Sequence, residues 1–479
     1  MRSKVWAAVL IPVVVGAGVY LWADAADRVP GIVTSSPEPS PQPALITAEP
    51  FAAAQPSPGP VAGFDAGAPV PSPDAVQALA LALRADKRTG TSTNVSVVDY
   101  LTGEVLADLG AQDGQVPAST TKLLTAVAAL EQLGPAYTFH TSVTWRADTS
   151  RLTLVAGGDL MLTAGQGHGG SKLDSMGGPV ANGWAGLRDL ADQVAEAVPP
   201  SSLTGPIFIA VDTTNFPGPA YPAEWPAYAL SMGYAGNVSG IAVNVGRPAK
   251  VTGGDYAKRD ADQALRALKD FGAALERLGY EVSVVGHAAS PAGIQDVAAV
   301  ESAPLSAVVT HYLRYSDNAV AEQTWRVAAL EAGRRAVPEE AAQVTLATLL
   351  QMGVDTTGLE LYDGAGYSSR NRISPATLTS SLVESRTRDN TAALESYLPL
   401  AGLQGTVNAR YRGTPVAGFM VGKTGSLTGV TSIAGIITTA DGRQLAYATL
   451  LDGMPAGQPR PQAAIDDFLV ALAGCGCGP

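Results

Sequence analysis

The segment Pro117-Ala118-Ser119-Thr120-Thr121-Lys122 puts a hydroxyl and an amine three residues apart, just ahead of Leu123, Leu124, Val127, Leu130 and Leu133. That apolar spacing predicts a buried helix running from Pro117 to about Leu133. Ser119 then lies in its first turn with Lys122 beside it. The chemistry such a pair offers is nucleophilic attack by a serine whose proton passes to a lysine. Free N–H groups at the helix start would stabilise the oxyanion that forms. An ordinary lysine, with a pKa of about 10.4, is protonated at neutral pH and is no base. Burial or a second cation nearby would lower that value. Taken alone, a Ser-x-x-Lys is far more often an N-cap serine and a solvated lysine, since the pattern is common by chance.

Two further clusters bear on this one. Ser316-Asp317-Asn318 follows the helical run ending at Arg314, and Lys423-Thr424-Gly425-Ser426 ends the apolar run from Val416. Each by itself is a turn, a cap or a strand end. In this order, Ser-x-x-Lys, Ser-x-Asn and Lys-Thr-Gly resemble the motif set of penicillin-binding proteins and serine β-lactamases. Four histidines (His140, His168, His287, His311) show no ligand spacing, although counting alone leaves a Ser-His-Asp arrangement open. Two cysteines, Cys475 and Cys477, are too few for a structural zinc site and read as a tail feature. No metal or cofactor is expected; Gly157-Gly158-Asp159 is too short for a phosphate loop.

Positioning residues so far apart requires a substantial scaffold. The 479 residues, 46% hydrophobic and 15% charged, suffice for two or three domains with a large core. A formal net charge of -12 argues against a nucleic-acid partner. Arg2 and Lys4 precede an apolar run from Val5 to Ala23, the layout of a membrane anchor or of a signal cleaved near Ala23-Asp24-Ala25. Export follows from either. The Pro/Ala/Ser-rich stretch that comes next cannot build a core and is expected to be a disordered spacer.

The folded body is expected to begin with a helix at Pro73, followed by strands over Val95–Tyr100 and Glu104–Leu109. Residues 139–290 separate the two serine motifs and carry their own elements. These are a hairpin at His140–Trp145 and Arg151–Val155, helices near Trp184–Val198 and Ala261–Leu278, and a strand at Ile207–Asp212. The latter part of the chain predicts helices Pro304–Arg314 and Ala319–Ala332, then a glycine- and serine-rich loop, Tyr362 to Pro375. Strands Val416–Lys423, Thr431–Thr438 and Gln444–Leu451 and a helix Pro461–Ala473 close the body. The organisation expected is a signal or anchor (1–27), a linker (28–72), a discontinuous catalytic domain (73–138 and 291–474), an inserted region (139–290) and a tail (475–479).

The long insert, with Ser316-Asp317-Asn318 followed by Ala321-Glu322, Asp363-Gly364-Ala365-Gly366 leading to Arg370-Asn371, and Leu398-Pro399-Leu400-Ala401-Gly402 leading to Gly405-Thr406, resembles one family. It is the D-alanyl-D-alanine carboxypeptidase/endopeptidase family of low-molecular-mass class C penicillin-binding proteins. Tyr367 stands where that family usually has leucine. The resemblance implies an α+β fold, a five-stranded antiparallel sheet with helices, and a site in the cleft between them. It implies action on peptidoglycan stem peptides ending in D-Ala-D-Ala, through an acyl-enzyme, and inhibition by β-lactam antibiotics.

In that scheme Ser119 is the nucleophile and Lys122 its base, with Lys423 the cation that lowers the pKa of Lys122. Ser316 passes the proton to the leaving nitrogen, and Asn318 positions Lys122 and a substrate amide. Thr424, Gly425 and Ser426 bind substrate, the N–H groups of Ser119 and Ser426 forming the oxyanion hole. Ser368 and Arg370 are further pocket candidates. The competing readings are a β-lactamase, against which the insert argues, and a catalytically silent wall-binding protein, against which the intact Ser119, Lys122, Ser316 and Lys423 argue.

Overall fold

The computed structural model describes residues 65–248, 256–454 and 461–475. The expected N-terminal anchor, most of the spacer, and Cys477 lie outside the described residues. Among those described, no helix is long and apolar enough to cross a membrane.

Ten strands among the described residues form two five-stranded sheets. In chain order they are β1 (Ser92–Asp99), β2 (Val105–Leu109), β3 (His140–Arg146), β4 (Arg151–Val155), β5 (Ile207–Asp212), β6 (Val282–His287), β7 (Asp296–Glu301), β8 (Met420–Leu427), β9 (Val430–Thr438) and β10 (Gln444–Asp452). The first sheet runs β2-β1-β10-β9-β8 and is antiparallel throughout.

Side chains alternate across the strands of this sheet. Ile433, Ile437, Leu445, Tyr447 and Leu451 face the helices Pro73–Ala85 and Pro461–Ala473, meeting Val76, Leu83, Ile465 and Leu469. Ala434, Ile436, Ala446, Ala448 and Leu450 face the other way, into the core built on Leu123, Leu124, Val127 and Leu130. The sheet is therefore a middle layer, and each large aliphatic side chain it buries contributes about 1.5–3 kcal/mol.

The second sheet runs β6-β5-β4-β3-β7, with β4, β5 and β6 parallel and β3 antiparallel to both its neighbours. Helices Leu187–Ala197 and Gln263–Glu276 lend their apolar faces to its core, which is continuous with that of the Lys122 helix. His140 pairs with Glu301, so this sheet closes on β7, past the boundary expected at residue 290.

Three expected boundaries differ for physical reasons. The spacer does not extend to Ser72 as loose chain: Arg443 Nη1 donates to the carbonyls of Ala66 and Ala68, and Ala68 is buried. The helix expected from Pro117 begins at Thr121, after a single tight turn Ala118–Thr120, and Thr121 to Leu130 are buried on every side. The strand expected to end at Lys423 runs from Met420 to Leu427, because Gly418, at φ 81°, turns the chain immediately before it. Lys423 to Ser426 thus lie inside an edge strand.

Candidate active site

Ser119 sits in the turn between Pro117 and the Lys122 helix, and three side chains hold that turn. Thr120 Oγ1 donates to the Pro117 carbonyl at 2.7 Å, Thr121 Oγ1 to the Ala118 carbonyl at 2.9 Å, and Ser432 Oγ of β9 to the Pro117 carbonyl at 2.6 Å. Ala118 adopts φ 49°, in the left-handed half that a residue with a Cβ avoids at a cost of about 1–2 kcal/mol.

Two glycines let the backbone close on this turn. A Cβ on Gly425 would lie 2.7 Å from the Pro117 carbonyl oxygen and 3.0 Å from Ser119 N. One on Gly366, itself at φ 76°, would lie 1.9 Å from the Ala118 carbonyl oxygen. The glycine of Lys-Thr-Gly is thus a close-approach residue that lets β8 pack against the nucleophile turn.

Lys122 is fully buried. Its Nζ lies 3.1 Å from Ser119 Oγ and donates to Asn318 Oδ1 and to the Ala365 carbonyl, both at 2.6 Å. Burial pulls its pKa down to about 7, against the opposing pull of Asp363, Asp317 and Glu322. The expected cause, the charge of Lys423, is corrected: desolvation dominates. Lys423, also fully buried, is held well below the usual lysine range by its own burial and then by Lys122.

Ser316 lies between helices Leu305–Tyr315 and Asn318–Glu331 at φ 56°, ψ 35°. Lys423 Nζ donates to its Oγ at 3.0 Å and to the Thr424 carbonyl at 2.7 Å. Asn318 Nδ2 donates to the Tyr234 carbonyl at 2.8 Å, which fixes the amide so that its oxygen faces Lys122. Thr424 Oγ1 donates to Thr406 Oγ1 at 2.8 Å.

These groups meet at a cleft of about 310 Å³ lined by Ser119, Ser316, Asn318, Thr406, Thr424 and Ser426. Its other wall is aromatic: Tyr228, Tyr234, Tyr256 and Tyr367. The Tyr234 and Tyr256 rings meet edge to face at 4.6 Å. Sequence reasoning did not assign these tyrosines to the site; the Trp/Tyr-rich run Trp225–Tyr234 and the departure at Tyr367 were its available signals.

The loop Asp363-Gly364-Ala365-Gly366 carries more than a turn. The Asp363 carboxylate is fully buried and accepts from the N–H groups of Tyr367 at 2.9 Å and Ser368 at 2.6 Å, from Asn371 Nδ2 at 3.0 Å and from Trp225 Nε1 at 2.7 Å. Gly364 N–H donates to Glu322 Oε2 at 2.8 Å, and Thr125 Oγ1 to the Gly364 carbonyl at 2.6 Å. The net effect is to aim the Ala365 carbonyl at Lys122.

Ser368 and Arg370 do not line the cleft. Ser368 is buried, accepting from Arg370 N at 3.1 Å, while Arg370 Nη1 pairs with Glu224 at 2.8 Å and stacks on Tyr362 in a separate hollow. No histidine lines the cleft either: His311 is buried behind it, with Nε2 3.9 Å from Asp317. No group of three or more potential metal ligands occurs among the described residues.

A buried lysine beside a serine hydroxyl, under a five-stranded antiparallel sheet with flanking helices, defines a serine hydrolase of the penicillin-binding-protein/β-lactamase-like fold. The D-Ala-D-Ala carboxypeptidase 3 (S13) family model matches residues 75–260 and 246–473, and the chain belongs to that family; it is a serine-type carboxypeptidase. It is 32% identical to carboxypeptidase DacB of Mycolicibacterium smegmatis over 412 residues, 84% of each chain. It is 30% identical to the D-alanyl-D-alanine carboxypeptidase of Actinomadura sp. over 450 residues, 80% of this chain and 81% of that one. Penicillin-binding protein 4 of Haemophilus influenzae shares the fold at a TM-score of 0.66 and 20% identity, covering 82% of this chain and 98% of that one.

Proposed function

We propose that Ser119 attacks the carbonyl carbon between the two terminal D-Ala residues of a peptidoglycan stem peptide, with Lys122 as its general base. The observation that carries this is the fully buried Lys122 amine, its pKa pulled down to about 7, with Nζ 3.1 Å from Ser119 Oγ. A neutral amine has two N–H bonds and one lone pair. In that neutral form the carbonyl oxygens of Asn318 and Ala365 take the two hydrogens and the lone pair is left for Ser119 Oγ, whereas the protonated amine donates to all three.

In the first half-reaction the Oγ–C bond forms and the Ser119 proton moves to Lys122 Nζ. The C–N bond then breaks, and the departing D-Ala nitrogen receives a proton through Ser316, which Lys423 holds. In the second half-reaction water takes the place of the leaving amine and releases the shortened peptide. The N–H groups of Ser119 and Ser426 hold the oxyanion. The Thr424 and Ser426 hydroxyls receive the substrate carboxylate, backed by Lys423 through its bonds to Ser316 and the Thr424 carbonyl, and the tyrosine wall takes the stem peptide. A β-lactam presents a carbonyl and a carboxylate in similar relation and acylates the same serine.

The place of action is outside the cytoplasmic membrane, tethered there or released into the wall. Its support is the basic-then-apolar sequence Arg2 to Ala23 with the proline-rich spacer beyond it. The catalytic domain in this reading is built from the residues before β3 and after β7, with the second sheet, through β7, inserted between them.

Incubating the protein with penicillin and mapping the adduct by mass spectrometry tests the proposal, together with release of free D-Ala from a D-Ala-D-Ala peptide. A persistent adduct on Ser119, and D-Ala release lost in S119A, are expected. Rapid loss of the adduct points instead to a β-lactamase. No D-Ala release by wild type, or undiminished release by S119A, overturns the reading.

A further inference from the structure

Asp317, between Ser316 and Asn318, touches no substrate position, yet it is among the most heavily engaged side chains in the molecule. Its Oδ1 accepts from the N–H groups of Ala319 and Val320, capping the helix that carries Asn318. Its Oδ2 meets two guanidinium groups from the region between the serine motifs, Arg247 Nη2 at 2.6 Å and Arg259 Nη2 at 3.5 Å. The side chains of Asp317, Arg247 and Arg259 are 0%, 4% and 2% exposed.

Burying two arginines on one carboxylate is costly unless the geometry compensates. The backbone leading to Arg247 is strained as well. Asn244 and Val245 lie at φ 49° and 55° and Gly246 at φ 72°, and a β-branched residue such as Val245 rarely tolerates that region. The turn is pinned by Val245 N–H on the Leu160 carbonyl at 2.7 Å and by Arg259 Nη1 on the Val245 carbonyl at 3.0 Å. Nearby, Tyr234 presents its carbonyl to Asn318.

We propose that Arg247, supported by Arg259, is a positioning residue for the reaction. Through Asp317 it holds the left-handed turn at Ser316 and the orientation of Asn318, so that residues of the intervening region form part of the catalytic apparatus. This rests on the reading of Ser119 and Lys122 as nucleophile and base.

Arg247 also sets the electrostatics of that base. The charged groups bearing on Lys122 are Asp363, Asp317, Glu322 and Lys423. Those facing Asp317 are Arg247, Arg259 and His311. With Arg247 in place, Asp317 is partly compensated and its pull on the Lys122 proton is reduced. Without it, the bare carboxylate favours protonated Lys122.

The test is the second-order rate of acylation by a fluorescent penicillin across pH, on enzyme whose active sites have been titrated. In R247M the acid limb should move up by about half a pH unit or more, which lowers the rate at pH 7 by about twofold or more. R247K should return the limb to the wild-type position, and D317N should move it down. A purely architectural role lowers the titratable fraction and the melting temperature but leaves the limb in place, and a limb unmoved in R247M overturns the proposal. Should R247M fail to fold, R259M keeps the 2.6 Å pair and must give a smaller upward step; no movement there overturns it equally. Absence of a Ser119 adduct in wild type would instead sink the underlying reading, so the two failures are distinct.

Discussion

The carbonyl of Ala365 lies 2.6 Å from Lys122 Nζ, although 243 residues separate the two along the chain. With Asn318 Oδ1 at the same distance, it leaves the amine only one direction in which to accept a proton, toward Ser119.

The pH dependence of acylation follows from this arrangement. Burial lowers the Lys122 pKa to about 7, so the amine is neutral above that value and protonated below it. Acylation by a β-lactam should rise about tenfold per pH unit on the acid side and level off above pH 7. K122R, whose guanidinium stays protonated, should lose activity by roughly a thousandfold or more. A rate independent of pH between 5 and 8 would contradict the assignment.

G425A should separate nucleophile geometry from fold. The added methyl meets the Pro117 carbonyl oxygen at 2.7 Å and Ser119 N at 3.0 Å, so β8 must move off the nucleophile turn. The expected result is a loss of about 1–3 kcal/mol in stability, read by thermal melting. Acylation should fall by more than the folded fraction does.

S316A bears on protonation of the leaving group. Its hydroxyl, 3.0 Å from Lys423 Nζ, is the proposed last donor to the departing nitrogen. Removing it should cut D-Ala release by about 10²–10⁴, the range for a general acid, with melting unchanged within a degree or two. Full turnover in S316A would assign the proton to another group.

W225F probes the support behind Ala365. It deletes the 2.7 Å bond from Nε1 to the buried Asp363 carboxylate, a charge-assisted bond worth about 1.5–3 kcal/mol. Both the melting temperature and the acylation rate should drop, because the loop that Asp363 organises carries the Lys122 acceptor. Unchanged acylation in a destabilised W225F would show that the loop holds its shape without this bond.

Legibility in the sequence followed how local each signal was. Strand β5 and the helix Pro461–Ala473 were readable to the residue, since apolar runs bounded by breakers report their own ends. The start of the Lys122 helix was misread because an apolar stripe shows what is buried, not where the backbone departs from helical angles; the left-handed Ala118 decides that. Gly418 likewise hid the true start of β8. Strands β6 and β7 went unseen, their partly exposed residues offering no buried alternation.

By itself the sequence determined which groups are present to do chemistry, two hydroxyls, two amines and an amide in ordered motifs, because residue type and short-range spacing are properties of the chain alone. Only the tertiary structure decided their electrical state and surroundings. It buries Lys122 and Lys423 completely, ranks desolvation above the mutual repulsion of the two lysines, and walls the cleft with four tyrosines from distant segments. It also brings Ala365, Tyr234, Trp225 and Arg247 behind the motifs. Such effects depend on what fills the few ångströms around an atom, and most of those neighbours lie a hundred or more residues away in sequence.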